Sequence, residues 1–379
     1  MTVVEIVFWV SAGLIVYTQV GYPLLLAVLA RILRRSGPAE PQLTRPGELP
    51  KVSAIVAAYN EQDVIAARVA NLRALDYPAG LLEVVIASDG STDSTAAHAR
   101  AAGADIVLEL PRGGKIRAQD ASVEQAGGEI LAFSDANSEW QPDALAEIVS
   151  AFADPRVGYV CGNVTFTDEA GTNQEGVYWR YEMWIRRLES GLRSVTSGNG
   201  AIYATRREAY LSVDPLAGHD LSFPFNMVKR GWLAVYASSA RASEKMAPSI
   251  EGEFARKRRM ARRTWPTVWG SGLLSPRGYD PLYALMIFSH RLLRYLVPFL
   301  HFVALVTSLV LIGHGWIYVV CAAAQLALLG GAAIAPVVRG RLLLVARYYV
   351  VTNSALAVGL WDWLRGERSP IWETVEGTR

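Results

Sequence analysis

The alternation of apolar and polar positions divides this chain into three zones. From Val3 to Ala30 the residues are apolar apart from Glu5 and a few neutral polar side chains, and the run ends in Arg31, Arg34 and Arg35. Such a run is long enough to cross the roughly 30 Å hydrocarbon core of a bilayer. A cleaved leader carries its charges ahead of the apolar stretch, whereas here they follow it. The segment therefore reads as a retained anchor with its basic end in the cytoplasm. At the far end, Leu292 to Ile312 and Trp316 to Val338 predict a helical hairpin around Gly313-His314-Gly315. A third apolar stretch, Leu342 to Leu360, carries Arg347 and Asn353, and its pattern is compatible either with crossing the bilayer or with lying along it. Pro281 to Tyr295 sets His290, Arg291 and Arg294 among Leu, Met, Ile and Phe at helical spacing, the pattern of a helix in the membrane interface. The alternative is that it simply begins the span that follows.

Between Pro50 and about Gly270 the pattern changes to short β-branched runs separated by helical stretches. Strands are expected at Val52 to Ala58, Leu82 to Ala87, Asp105 to Leu110 and Glu129 to Phe133, with helices at Asp63 to Leu75 and Ser94 to Ala102. Strand and helix in alternation predict an α/β domain around a mostly parallel sheet, covered on both faces. Ligands bind such sheets beyond the carboxyl ends of the strands. The expected organisation is an anchor over 1–35, a linker over 36–50 and the α/β domain over 51–270. An interfacial region over 271–295 follows, and 296–379 hold the hairpin, the third apolar segment and a tail.

Composition agrees, because 51% hydrophobic content over 379 residues exceeds what one soluble domain needs. The net charge is only +2, with basic residues gathered near apolar segments, so no nucleic-acid partner is expected. Cys161 and Cys321 fall in different zones and form no disulfide framework, which fits a reducing compartment.

Polar clusters stand at the strand ends: Tyr59-Asn60-Glu61, Asp89-Gly90-Ser91-Thr92-Asp93 and Asp135-Ala136-Asn137. With Lys115 ahead of a helix, Ser197-Gly198-Asn199-Gly200 and His219-Asp220, the ordered set resembles family 2 glycosyltransferases. The likeness is to the membrane-integrated branch that contains hyaluronan, chitin and cellulose synthases and bacterial exopolysaccharide transferases. It covers Val52 to about Trp265 and implies a GT-A, Rossmann-like domain flanked by transmembrane helices. It also implies donor binding by Ala58, Tyr59, Glu61, Asp89, Lys115, Asp135 and Arg259, and a catalytic base at Asp220. Ser197, Gly198, Asn199, His219 and Trp265 are implied as the acceptor region.

A nucleotide sugar's diphosphate gains negative charge as the anomeric bond breaks, so a divalent cation and fixed positive groups are needed. Asp135 and Asn137, two apart on extended chain, project to one side and suit Mg²⁺ or Mn²⁺. The family usually has Asp where Asn137 stands. A plain turn is the alternative for this triplet, and a helix cap is the alternative for Asp93 and for Asp220. The processive synthases carry Gln and Trp where this chain has Arg256 and Met260, which points to lower processivity.

The expected function is an inverting, metal-dependent transfer from a nucleotide sugar, with a UDP-sugar as the expected donor, to a membrane-associated glycan or lipid-linked glycan in cell-surface polysaccharide synthesis. The expected location is the bacterial inner membrane, with the catalytic domain in the cytoplasm. Membrane lipids and polysaccharide export subunits are further expected partners. Two alternatives stand beside it: a polyprenyl-phosphate glycosyltransferase, and a non-catalytic subunit that keeps a donor-binding fold.

Overall fold

A computed structural model describes residues 2–33, 49–167, 175–245, 250–338 and 340–367. Arg34, Arg35, most of the 36–50 linker and the tail beyond 367 lie outside the described residues.

The first helix, α1, runs Val3–Leu33. Glu5, the one charge in its apolar run, belongs to a capping box: its Oε2 accepts from the Thr2 N–H while Thr2 Oγ1 accepts from the Glu5 N–H. The α/β domain follows as β1 (Val52–Ala58), α2 (Ile65–Arg73), β2 (Leu82–Asp89), α3 (Thr95–Ala101), β3 (Ile106–Leu110), α4 (Lys115–Gln125), β4 (Ile130–Ser134) and β5 (Glu139–Trp140). It continues with α5 (Ala144–Ala151), β6 (Val157–Thr167), α6 (Glu175–Leu192), β7 (Tyr203–Arg206), α7 (His219–Lys229), β8 (Leu233–Lys245) and α8 (Ile250–Gly270).

Among the described residues, all eight strands share one sheet in the order β3-β2-β1-β4-β7-β6-β8-β5. The four expected strands make its parallel half. In β1 and β4 every residue is buried, as central strands covered on both faces require. Beyond β4 the sheet is mixed, since β7 runs antiparallel to both β4 and β6. The polar clusters therefore gather at the carboxyl ends of β1, β2 and β4, along one edge of the parallel half.

Three more helices follow: α9 (Pro281–Val310), α10 (Trp316–Ile334) and α11 (Arg341–Leu364). With α1, they are long and apolar enough to cross a membrane. Their outward faces expose large apolar side chains such as Val16, Phe302, Leu326 and Leu342, which suits contact with lipid. The region read as a separate interfacial helix does not stand apart. Pro281, capped by Asp280, begins one helix that continues through the span. Its basic residues turn toward the catalytic domain: His290 Nδ1 lies 2.7 Å from Glu189 Oε1, and Arg294 pairs with Glu182. Carboxylates of α6, the buried Glu189 and the half-buried Glu182, rather than headgroups, are the partners of this mid-helix charge. Tyr22 of α1 joins the cluster by donating to Glu189 Oε1 at 2.6 Å, so anchor, domain and span meet at one point.

The third apolar segment, α11, lies antiparallel along α8. Trp265 Nε1 donates to Leu356 O at 3.0 Å, a Cβ on Gly359 would come within 2.4 Å of Ala261 Cβ, and Arg258 and Arg262 both pair with Asp362.

Candidate active site

The carboxyl ends of β1 and β4, the loop before β7 and the start of α7 surround a cavity of about 540 Å³, which α8 and the membrane-side helices close. On the sheet side lie Glu61, Lys115, Asp135 and Asn137. Lys115, the first residue of α4, pairs its Nζ with Asp135 Oδ1. Above this pair the chain passes as Gly200, where an added Cβ would stand 3.2 Å from Lys115 Nζ and 3.3 Å from Asp135 Oδ2. A side chain there would press on both groups, and glycine leaves that space open.

Asp89 is placed differently from expectation. Its carboxylate is buried outside the cavity lining and accepts from Arg112 Nη1 at 2.7 Å, Gly113 N at 2.7 Å and Gly114 N at 2.9 Å. Arg112 in turn sits 3.3 Å over the Tyr59 ring. Asp89 thus holds the 112–114 turn that leads into Lys115, and it carries Arg112 onto Tyr59. Gly90, at φ +69, permits this, because a Cβ there would stand 2.8 Å from the Arg112 backbone nitrogen. Ala58 and Tyr59 flank the cavity without lining it, whereas their neighbour Ala57 does line it. The Asp93 carboxylate accepts from Thr95 N at 3.0 Å and Gln62 N at 3.2 Å, one position ahead of Ser94, the N-cap of α3, so it ties the helix start to the 60–62 turn.

On the opposite wall, Ser197 to Gly200 are tied down on both sides. Gly198 N donates to Asp220 O at 2.6 Å, Arg186 Nη2 donates to Gly198 O at 2.9 Å, and Asn199 bridges Gly162 O and Ile202 N. Asp220 lies in the first turn of α7, yet the cap position belongs to Gly218 and receives no side-chain cap bond. An acidic group there is favoured by the helix dipole, and its carboxylate borders the cavity. His219 also borders the cavity. Burial, with Lys115 nearby, holds its imidazole well below the ordinary histidine range, while Nδ1 meets the Tyr203 hydroxyl at 2.7 Å. A neutral ring stacked on Phe223 is a poor rival to Asp220 for accepting a proton.

The basic helix α8 contributes Arg256, Arg259, Met260 and Arg263 to the cavity. Trp265 does not join them. It is buried toward α9 against Tyr295 and Phe299, so it does not stand in for the aromatic that Met260 replaces. Sequence reasoning missed Arg186, Arg291, Arg294 and Glu244, which the fold adds to the lining. Each lies in a segment whose pattern announces only a helix or a strand. Among the described residues the lining holds nine Lys or Arg side chains against five Asp or Glu, a surplus that suits an anionic ligand.

The donor set suits a divalent cation. Asp135 keeps a third of its side chain exposed, Asn137 adds a neutral hard oxygen, and the Gly200 opening leaves room beside them. No three His, Cys, Asp or Glu side chains gather into a metal cage among the described residues. Mg²⁺-type sites bound by one or two carboxylates and completed by substrate phosphates need none.

A mixed α/β sheet whose strand ends carry an acidic motif beside a cation-lined cavity is the arrangement of a GT-A domain. The family described as glycosyl transferase family 2 matches residues 53–231, and the domain these residues form belongs to it. An N-acetylglucosaminyltransferase of Rhizobium meliloti (strain 1021) is 28% identical over 270 residues, 65% of this chain and 62% of that protein. A beta-monoglucosyldiacylglycerol synthase of Nostoc sp. is 33% identical over 179 residues, 43% of this chain and 37% of that protein. The chain thus spans less than two thirds of either relative. The mannosyltransferase PcManGT of Pyrobaculum calidifontis, solved in complex with GDP-Man and Mn2+, shares the fold, with a TM-score of 0.72 at 23% identity over 96% of this chain and all of that one.

Proposed function

We propose that this chain is an inverting, metal-dependent glycosyltransferase, anchored in the bacterial inner membrane, that moves a sugar from a cytoplasmic nucleotide sugar to a membrane-associated glycan or lipid-linked glycan. The observation that carries the reading is the continuity of one cavity. Asp135, Asn137 and Lys115 line it at the sheet, Asp220 on the wall, and Tyr295, Thr352 and Leu356 of the membrane-side helices at its other end. A water-soluble donor and a membrane-borne acceptor would meet between those ends.

In this reading Asp135 and Asn137 hold the cation, which when bound neutralises charge on the departing diphosphate. Lys115 and the arginines of α8 supply fixed positive charge for the same purpose. The Ser197–Gly200 loop lets the acceptor approach without side-chain obstruction, and Asp220 takes the proton from the attacking hydroxyl. The relatives named for N-acetylglucosaminyl and glucosyl transfer support a hexose-type donor, with a UDP-sugar as first choice. Arg256 and Met260, together with Trp265 facing away, favour addition of one or a few sugars over long polymer. Because α8 is too highly charged to enter hydrocarbon, the end of α11 that pairs with it stays at the cytoplasmic surface.

A polyprenyl-phosphate acceptor would use the same cationic surplus but would need no base, so an essential Asp220 separates the two enzymatic readings. The test is purification in detergent followed by a panel of UDP-, GDP- and dTDP-sugars with Mg²⁺ or Mn²⁺, read as nucleotide release and product mass. Release with none of the donors, with or without membrane lipid extract as acceptor, refutes the proposal.

A further inference from the structure

Glu244 has no part in the mechanism above, yet it stands beside the metal-binding turn. Strand pairing places it there: β8 runs next to β5 with Ser243 opposite Glu139, and next to β6 with Glu244 opposite Phe166. Its Oε1 accepts from Ser138 Oγ at 2.5 Å, one residue beyond Asn137, and its side chain lines the same cavity as Asp135 and Asn137. Glu244 is half-buried and open to that cavity. Asp135 repels it, Lys115 and Arg256 offset part of that repulsion, and a cation held between the two carboxylates would offset it further. We infer that Glu244 is the second anionic ligand of the divalent cation and supplies from β8 the charge that Asn137 lacks. The inference rests on the proposed role of Asp135 in binding that cation.

The charge count favours it. Asp135 and Asn137 alone bring a single negative charge, and Lys115 already draws on it. With Glu244 the donor set carries two negative charges and three hard oxygen donors, on adjacent elements that strand pairing fixes. The competing role is structural. Arg68 is buried over the Trp140 ring, with Nε and Nη2 lacking hydrogen-bond partners, and Asp135, Glu139 and Glu244 surround it electrostatically. Under that alternative Glu244 only balances Arg68.

Titration of the full-length protein in detergent with Mn²⁺ alone, following the free-ion electron paramagnetic resonance signal, distinguishes the two. Glu244→Gln, close to isosteric, should weaken Mn²⁺ binding at least about tenfold, because even groups outside the coordination shell change metal affinity by about 10–100-fold. Moving the charge back, in the Asn137→Asp/Glu244→Gln double variant, should restore affinity to within about threefold, since the donor set regains its second anion. Asp135→Asn provides the reference loss. If Asp135→Asn loses Mn²⁺ while Glu244→Gln binds like wild type, the inference fails and the metal reading stands. Loss in Glu244→Gln that the double variant does not restore, accompanied by a lower melting temperature, returns Glu244 to the structural role. If neither single variant changes Mn²⁺ binding, the metal reading itself is wrong.

Discussion

Replacing Asp89 by Asn tests whether this buried carboxylate builds the nucleotide site indirectly. Asp89 is 1% exposed and accepts from Arg112 Nη1, Gly113 N and Gly114 N at 2.7, 2.7 and 2.9 Å. Asparagine keeps the shape and one acceptor oxygen, but it turns an amide NH₂ toward backbone donors and removes the charge that holds Arg112. Breaking a buried ion pair from one side costs about 3–5 kcal/mol. Arg112 is about one-fifth exposed and can regain some water, which places the loss near the lower figure, at about 3 kcal/mol. For a domain of this size each kcal/mol lowers the midpoint by about 2–4 °C, so the soluble domain's transition should fall by about 6–12 °C. Arg112 should also leave the Tyr59 ring, now 3.3 Å away, and nucleotide affinity should weaken at least about tenfold with it. Differential scanning fluorimetry and a nucleotide titration on the purified variant measure both effects. A melting point within about 2 °C of wild type, with unchanged affinity, would refute the argument.

Gly198→Ala should abolish transfer, because the new Cβ would stand 1.8 Å from Tyr159 Oη and 2.9 Å from Cζ. Adding Tyr159→Phe should not rescue it, since the ring carbon remains; turnover in the single and double variants checks this. Chelation with EDTA should stop turnover, Mn²⁺ should restore it, and Asp135→Ala should remove most activity under all metal conditions. A cysteine at Arg365 should be labelled from the same side of the membrane as one placed in the 36–50 linker, as the pairing of Asp362 with Arg258 and Arg262 requires. Labelling from opposite faces contradicts that placement of α11.

The parallel half of the sheet was legible in the sequence because its signals are local. Four apolar β-branched runs each end in polar residues, and Asp135, Asn137 and Lys115 come together simply because β4 and α4 end and begin near one another. The mixed half was not legible. The direction of β7 depends on pairing with β4 and β6, which no local pattern records. Glu244, Arg186, Arg291 and Arg294 reach the cavity only through tertiary packing, and Arg291 and Arg294 carried the signature of a membrane-interface helix. The sequence showed them as positive charge on an apolar helix; Glu182 and Glu189, which redirect them, lie on α6, about a hundred residues earlier. Asp89 was recognised as important for a different reason, since its carboxylate serves the turn before Lys115 rather than facing the cavity. The family resemblance implied Trp265 in the acceptor region, but the helix turns it toward α9 and α11.

The central claim is that this cavity transfers a sugar from a nucleotide to a hydroxyl acceptor with Asp220 as base. Its most direct test pairs wild type and Asp220→Asn, using whichever donor releases nucleotide, and measures nucleotide affinity and product mass together. The account predicts unchanged donor affinity and a fall in transfer of at least about a hundredfold, the lower end of what a general base contributes. Near-normal transfer by Asp220→Asn with intact donor binding would contradict it and leave a phosphate acceptor as the better reading.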